Sequence, residues 1–198
     1  MTQPQEIDAA WLDAGRMIGV VTMGSSTCVP MAESVDAAGQ ALTVTLADPD
    51  AEACRTDLVP RVTLVAVPEG VDVTEDVDIL TVGAVDGRGE LDGLDGPVGE
   101  TGGETDYLPS AGWTDTEGQF VLLTWGSSTC APMAETVTAS GPAEVTVIFA
   151  TGPVDQVCTM DMAPRALVVQ VTDEVDDDDA FAVLVGAEFD NVRIPILG

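Results

Sequence analysis

The sequence predicts an all-β protein of two tandem, pseudo-equivalent repeats, each an antiparallel β-sandwich or small barrel with one internal disulfide. Three observations carry this reading. First, Gly24-Ser25-Ser26-Thr27-Cys28-Val29-Pro30-Met31-Ala32-Glu33 returns as Gly126-Ser127-Ser128-Thr129-Cys130-Ala131-Pro132-Met133-Ala134-Glu135, identical at nine of ten positions. Second, a C-x-x-D-x-x-P-R pattern, Cys54 to Arg61, returns as Cys158 to Arg165, and Val82-Gly83-Ala84 as Val185-Gly186-Ala187. Third, the apolar residues follow the spacing of strands, and no amphipathic helix is found. The period, about 102–104 residues, is too long for a solenoid unit and suits a duplicated small domain.

The elements follow in order. Trp11 and Trp113 stand at the same offset before the repeated block. Met17–Met23 and Phe120–Trp125 are near-continuous apolar runs, as expected of strands covered on both faces. Leu42, Val44 and Leu46 alternate with Thr43 and Thr45, and Val145, Val147 and Phe149 do the same in the second copy. Further strands fit residues 62–67 and 167–171, then 77–82 and 181–185, where β-branched residues dominate and Gly, Pro and Asp punctuate. Residues 192–197 read as a closing strand that Pro195 confines to an edge. The first copy offers only 88–91 there. Each copy should thus hold five or six strands. The first repeat is placed at 11–90 and the second at 111–198, with a Gly- and acid-rich linker at 91–110.

Composition narrows the chemistry. Of 198 residues, 35 are acidic and 6 basic, giving a formal charge of −29, and there is neither Lys nor His. Imidazole acid/base chemistry, Ser-His-Asp triads, Schiff bases and phosphate-loop lysines are therefore excluded. A chain this acidic repels nucleic acid and anionic headgroups, leaving cationic or neutral partners such as a protein or an envelope component. No apolar run is long enough to span a membrane, so an integral membrane protein is not expected. The opening Met-Thr-Gln-Pro-Gln-Glu has no leader pattern, which fits a cytosolic protein or an exported one whose leader has been removed.

The cysteines discriminate. Each copy has one just after its first strand and another 26 or 28 residues later. Duplication favours the pairing that each copy makes alone, Cys28–Cys54 and Cys130–Cys158. Closing such a loop contributes roughly 3–4 kcal/mol. Disulfides in a small, aromatic-poor domain point to an oxidising, extracellular or cell-surface location.

Gly-Ser-Ser-Thr-Cys-x-Pro followed by Cys-x-x-Asp-x-x-Pro resembles a family of uncharacterised secreted proteins and lipoproteins of actinobacteria. The resemblance covers both copies, with Met23 standing where Trp125 does in the second. It implies an envelope location, often with lipid attachment through an N-terminal cysteine, which this sequence lacks. It implies no activity.

The repeated loops, Gly24, Ser25, Ser26, Thr27 and Gly126, Ser127, Ser128, Thr129, are read as scaffolds. They lack the closing Gly of G-x-S-x-G, and no His or Lys is available to activate a serine. Their hydroxyls should instead bond nearby amides, with Gly taking an unusual backbone angle. Asp57 with Arg61 and Asp161 with Arg165 are expected to form internal ion pairs or turn caps. An acidic stretch precedes the Val-Gly-Ala strand in both copies: Glu69, Asp72, Glu75, Asp76 and Asp78, then Asp173, Glu174 and Asp176–Asp179. Asp176, Asp177, Asp178 and Asp179 are weak candidates for Ca²⁺, and no other cofactor is expected. The Asp-Gly run from Asp86 departs from a calcium loop at its third position, Arg88. The favoured function is a non-enzymatic, exported cell-envelope binding or structural module. A carboxylate-dependent hydrolase and a low-affinity calcium-binding surface protein are the alternatives, and the acidity also fits adaptation to high salt. A deep pocket with close acids would favour the hydrolase.

Overall fold

A computed structural model describes residues 4–50 and 53–198. Residues 1–3 at the opening of the chain, read above for a leader, lie outside it. The first copy contains β1 (Gln5–Glu6), β2 (Asp8–Leu12), β3 (Met17–Gly24), β4 (Met31–Ala38), β5 (Ala41–Ala47), β6 (Val59–Ala66), β7 (Val77–Gly83) and β8 (Gly87–Leu91). The second contains β9 (Ser110–Trp113), β10 (Gln119–Gly126), β11 (Ala134–Gly141), β12 (Glu144–Phe149), β13 (Ala163–Gln170), β14 (Phe181–Gly186) and β15 (Phe189–Leu197). Among the described residues no helix is long and apolar enough to cross a membrane.

The two copies share one topology. The second is a sheet ordered β11-β12-β14-β15-β9-β10-β13. In the first, β1 and β2 are a single run broken at Ile7. β1 pairs with β8 and β2 with β3, so β4-β5-β7-β8-β1 continues into β2-β3-β6 in the equivalent order. The sheets are largely antiparallel, but β5–β7 and β12–β14 run parallel, as do β1–β8 and β9–β15. Parallel neighbours need a long crossover. Here β6 and β13 supply it, each leaving for the far edge of its sheet before the chain returns.

Five strands were not foreseen: the short β1, β2 and β9 at the tryptophans, and β4 and β11 after the repeated block. Strand β4, Met-Ala-Glu-Ser-Val-Asp-Ala-Ala, is an edge strand with little buried side chain, so its sequence carries no alternating signal. Pro195 also behaves differently from expectation. Strand β15 is internal to its sheet, between β14 and β9. The amide of Ile196 donates towards β14, to Ala180 O at 2.9 Å, so Pro195 turns its nitrogen the other way. On that side pairing with β9 begins only at Ile196. The missing N–H therefore costs no ladder bond.

Each copy buries its own core. Trp11, Ile18, Val20, Leu42, Val44, Val65 and Ile79 fill the first. Phe120, Leu122, Val145, Val147, Phe149 and Leu184 fill the second. A third cluster joins them: Ala10, Leu12 and Val21 meet Val121 and Leu123, with Val62, Leu64, Trp125 and Val168 around them. The strands β3 and β10 are thus buried on both faces, one towards their own core and one towards the other copy. This is why they read as unbroken apolar runs.

The contact between copies is pseudo-two-fold. Strands β2 and β9 approach in opposite directions. At one end the Asp13 amide donates to Ser110 Oγ at 2.8 Å, and at the other Thr116 Oγ1 donates to Asp8 Oδ2 at 2.6 Å. Gly112 lies against the Trp11 carbonyl, where a Cβ would clash with backbone. Such self-complementary packing of equivalent surfaces is that of an isologous dimer within one chain.

Candidate functional site

The repeated loops follow from the disulfides. Cys28–Cys54 and Cys130–Cys158 both form, tying the β3–β4 connection to the β5–β6 connection and the β10–β11 to the β12–β13. In the first copy the Thr27 amide donates to Ser25 Oγ at 3.3 Å, and the Arg55 amide to Thr27 Oγ1 at 3.0 Å. The second repeats this, with Thr129 N to Ser127 Oγ at 3.3 Å and Thr159 N to Thr129 Oγ1 at 3.1 Å. The hydroxyls thus tie the loop together, as expected of a scaffold.

Asp57 and Arg61 do not pair with each other, nor do Asp161 and Arg165, among the described residues. Each holds the loop instead, from its donor or its acceptor side. Asp57 Oδ1 accepts from the Ser26 amide and Asp161 Oδ1 from the Ser128 amide, both at 3.1 Å. Arg61 Nη1 donates to the carbonyls of Cys28 at 2.5 Å and Ser25 at 3.4 Å. Arg165 donates to those of Cys130 at 3.2 Å and Trp125 at 3.0 Å. The loop leaves more backbone groups unpaired than a two-residue ion pair could satisfy, so the two charges are drawn apart. The repeated Gly takes the expected unusual backbone angle at Gly126 (φ +153°) but not at Gly24, and a second reason is common to both. At Gly24 and Gly126 a Cβ would run into the guanidinium of Arg61 or Arg165.

These hydrogen bonds also settle the acidity of the loops. Those from Ser26 hold the Asp57 carboxyl below its ordinary value, and those from Ser128 and Thr159 bring Asp161 to about 2. A carboxylate this acidic is a poor proton acceptor for Ser127 or Ser128.

A concavity lies elsewhere, where the two copies and the linker meet. It encloses about 750 Å³ and has walls from the turn after β2 (Asp13, Ala14, Arg16), the linker, the β13–β14 loop and the end of β15. Residues Leu94, Leu108, Phe181, Ile196 and Leu197 supply apolar surface. Six aspartates, Asp13, Asp95, Asp106 and Asp177–Asp179, face one arginine. Arg16 is held by Asp13 and Asp106, each at 3.2 Å. Asp13 is only 5% exposed, and its Oδ2 has no hydrogen-bond partner. Asp13, Ala14 and Gly15 all take left-handed backbone angles, strained for the first two.

The linker is more than a tether. The Leu94 amide donates to Val73 O at 2.8 Å, the Gly99 amide to Ala14 O at 2.7 Å, and Leu94 is buried. Tyr107 packs edge-on against Trp125. These contacts hold residues 94–108 as one wall of the cleft.

A smaller recess of about 330 Å³ shares Asp177, Asp178 and Gly198 with the cleft and adds Trp11, Asp92, Trp113 and Asp115. Desolvation, then Asp8, Asp92 and Glu6, raises the Asp115 carboxyl. The Trp11 indole donates to Asp92 O at 2.7 Å, whereas that of Trp113 is buried without a partner.

Asp176–Asp179 do not gather as metal ligands. Among the described residues the carboxylates that converge within 4.8 Å are those of Asp76, Glu90 and Asp92, all exposed. Asp86, at the head of the Asp-Gly run, accepts from the Gly83 amide at 3.2 Å and closes the β7–β8 turn. Asp13 and Arg16 were missed by sequence reading. Their signal was an Asp-Ala-Gly-Arg turn between two apolar runs, which by itself marks only a turn. No protein-family model matches the chain, and no curated protein or solved structure does either.

Proposed function

We propose that this chain is an exported, non-enzymatic binding module of the cell envelope, and that its ligand seats in the cleft between the two copies. The cleft carries the reading. Its volume is that of a small-molecule or side-chain site, with apolar surface and a few polar groups converging on it. Both copies and the linker are needed to build it, which gives the duplication a use that one copy could not provide. The two disulfides fit an oxidising, extracellular environment. The surface loops, with hydroxyls bonded inward and Asp161 strongly acidic, supply no activated nucleophile.

One observation favours the hydrolase reading. Asp115, with its carboxyl raised, lies near the carboxylates of Asp8 and Asp92, as an acid/base pair would require. The aromatic surface a sugar would stack on is occupied, however. Trp11 is buried, and Trp113 packs edge-on against Phe120. The binding reading is therefore preferred.

A fragment screen followed by ¹H–¹⁵N NMR tests it. Hits should cluster at the amides of Leu94, Leu108, Phe181 and Ile196. A library of neutral and charged fragments that leaves those amides unmoved would overturn the reading.

A further inference from the structure

We infer that residues 95–109 are a strap that opens to admit the ligand, fastened in its closed position by the turn from Asp13 to Arg16. This rests on the cleft being the binding site and assigns how access to it is controlled. The strap is the most lightly held part of the cleft wall. Residues 95–109 form no strand or helix and none of them is buried, whereas Leu94 just before them is buried and β9 begins just after, at Ser110. Segments with few buried contacts open at the least cost in free energy. Between residues 98–103 and 69–73 of the β6–β7 connection lies a further concavity of about 700 Å³, so the strap is not tightly packed on that side.

Among the described residues, two polar contacts join the strap to the rest of the protein, and both end on one turn. The Gly99 amide donates to Ala14 O at 2.7 Å, and Arg16 Nη2 donates to Asp106 Oδ2 at 3.2 Å. Gly99 lies so close to the Arg16 guanidinium that a Cβ would meet Nε at 2.6 Å. Arg16 is itself fixed. Its carbonyl accepts from the Val67 amide at 2.9 Å, and its Nη1 donates to Asp13 Oδ1 at 3.2 Å. The turn carries a second, independent sign. Asp13 and Ala14 take left-handed angles, φ 49° and 54°, whereas in the counterpart turn at residues 115–118 only Gly118 has a positive φ. Strain present in one copy and absent from the other is not required by the shared fold, and such strain clusters where a structure clamps or switches. Here the strained turn supplies both groups that grip the strap.

Charge keeps the closed position marginal. The strap carries Asp95, Glu100, Glu104 and Asp106 and no base, and Asp177–Asp179 line the same cleft. Like charges across the cleft push the strap outwards, and Arg16 is the one base lining it. Weakening the clasp and weakening the repulsion must therefore act with opposite signs.

Native-state hydrogen exchange of the full oxidised chain, followed by NMR, reads this opening at the Gly99 amide, with the Leu123 amide of β10 as reference. Gly99 should exchange at least about a hundredfold faster than Leu123. Asp106→Asn, at an exposed side chain, leaves the Asp13–Arg16 pair intact and should speed Gly99 exchange about two- to fivefold with Leu123 unchanged. Asp177→Asn/Asp178→Asn, at two exposed residues, should slow it about twofold. The tightest neutral hit of the fragment screen should then enter and leave the Asp106→Asn cleft faster by the same factor, its affinity changing less than twofold. A strap that gates moves both rates together, whereas a mere wall residue moves affinity.

Four results would overturn the inference: Gly99 exchanging as slowly as Leu123, no change in Gly99 exchange with Asp106→Asn, faster exchange in the double variant, or fragment affinity changing with its association rate unmoved. Cleft hits that persist under any of these outcomes would leave the binding-module reading standing. The absence of any cleft hit would remove both.

Discussion

The two copies share a topology and a loop scaffold but differ where the chain brings them together. Among the described residues Arg61 meets only neutral acceptors, including Thr22 Oγ1 at 3.3 Å, whereas Arg165 has lost that contact and pairs with Glu188. Trp11 has an acceptor for its indole and Trp113 has none among the described residues. Asp13 is buried beside an arginine, while its counterpart Asp115 has its proton affinity pushed up by desolvation and then by the carboxylates around it. The contrast teaches that each fold needs its disulfide loop as it stands. The ends of β2 and β9 have room to differ, because at those ends only the other copy and the linker constrain them.

This comparison can be broken by measurement. Replacing Cys130 and Cys158 by Ser should lower stability by roughly 3–4 kcal/mol, and Cys28 with Cys54 by a similar amount, because the closed loops differ by only two residues. Denaturant melts of the two variants check this, and a difference of several kcal/mol between them would show that the loops are not equivalent.

Leu123→Ala removes a fully buried side chain from the cluster between the copies, at a cost of about 3 kcal/mol. Tryptophan fluorescence and circular dichroism should report one shared transition. Two separate transitions would mean that the copies unfold independently.

Arg165→Met should cost about 2–3 kcal/mol, since it leaves Glu188 unpaired and the carbonyls of Trp125 and Cys130 without a donor. Arg61→Met strands no carboxylate among the described residues and should cost about 1–2 kcal/mol. Equal losses would erase this difference between the copies.

The smallest effects lie in acid. Asp161 is held at about 2 against an ordinary 3.8, so its support for the loop is complete above the higher value and is lost as pH falls through the lower. Asp161→Asn should therefore lower the melting temperature at pH 5, with the gap to the parent closing towards pH 2. Asp115 has the opposite sign. Its raised value means that its charge opposes folding above that value, and stability is regained as pH falls through it. Asp115→Asn should stabilise at neutral pH by no more than about 0.5 kcal/mol, solvent screening being strong at this exposed position.

Much of the fold was legible because its signals are local. The strands β3 and β10 announce themselves by near-continuous apolar runs, and β5, β6 and β7, with their counterparts, by apolar alternation or β-branched residues. The tryptophan strands and the edge strands β4 and β11 did not, being either short or exposed on both faces. The scaffold loops were read as scaffolds, yet the partners of Asp57 and Arg61 were not foreseen. A charged pair four residues apart suggests its own company, and only the folded loop reveals unpaired amides on one side and carbonyls on the other.

By itself the sequence determined the duplication, the cysteine pairing and the all-β character, because each rests on spacing along the chain. It also determined which chemistries are absent, through the lack of Lys and His. The tertiary structure alone decided the rest. Parallel pairing, the pseudo-two-fold contact and the acidic cleft join residues as far apart as Asp13 and Ile196. Those depend on how two surfaces pack, and packing leaves no period in a sequence.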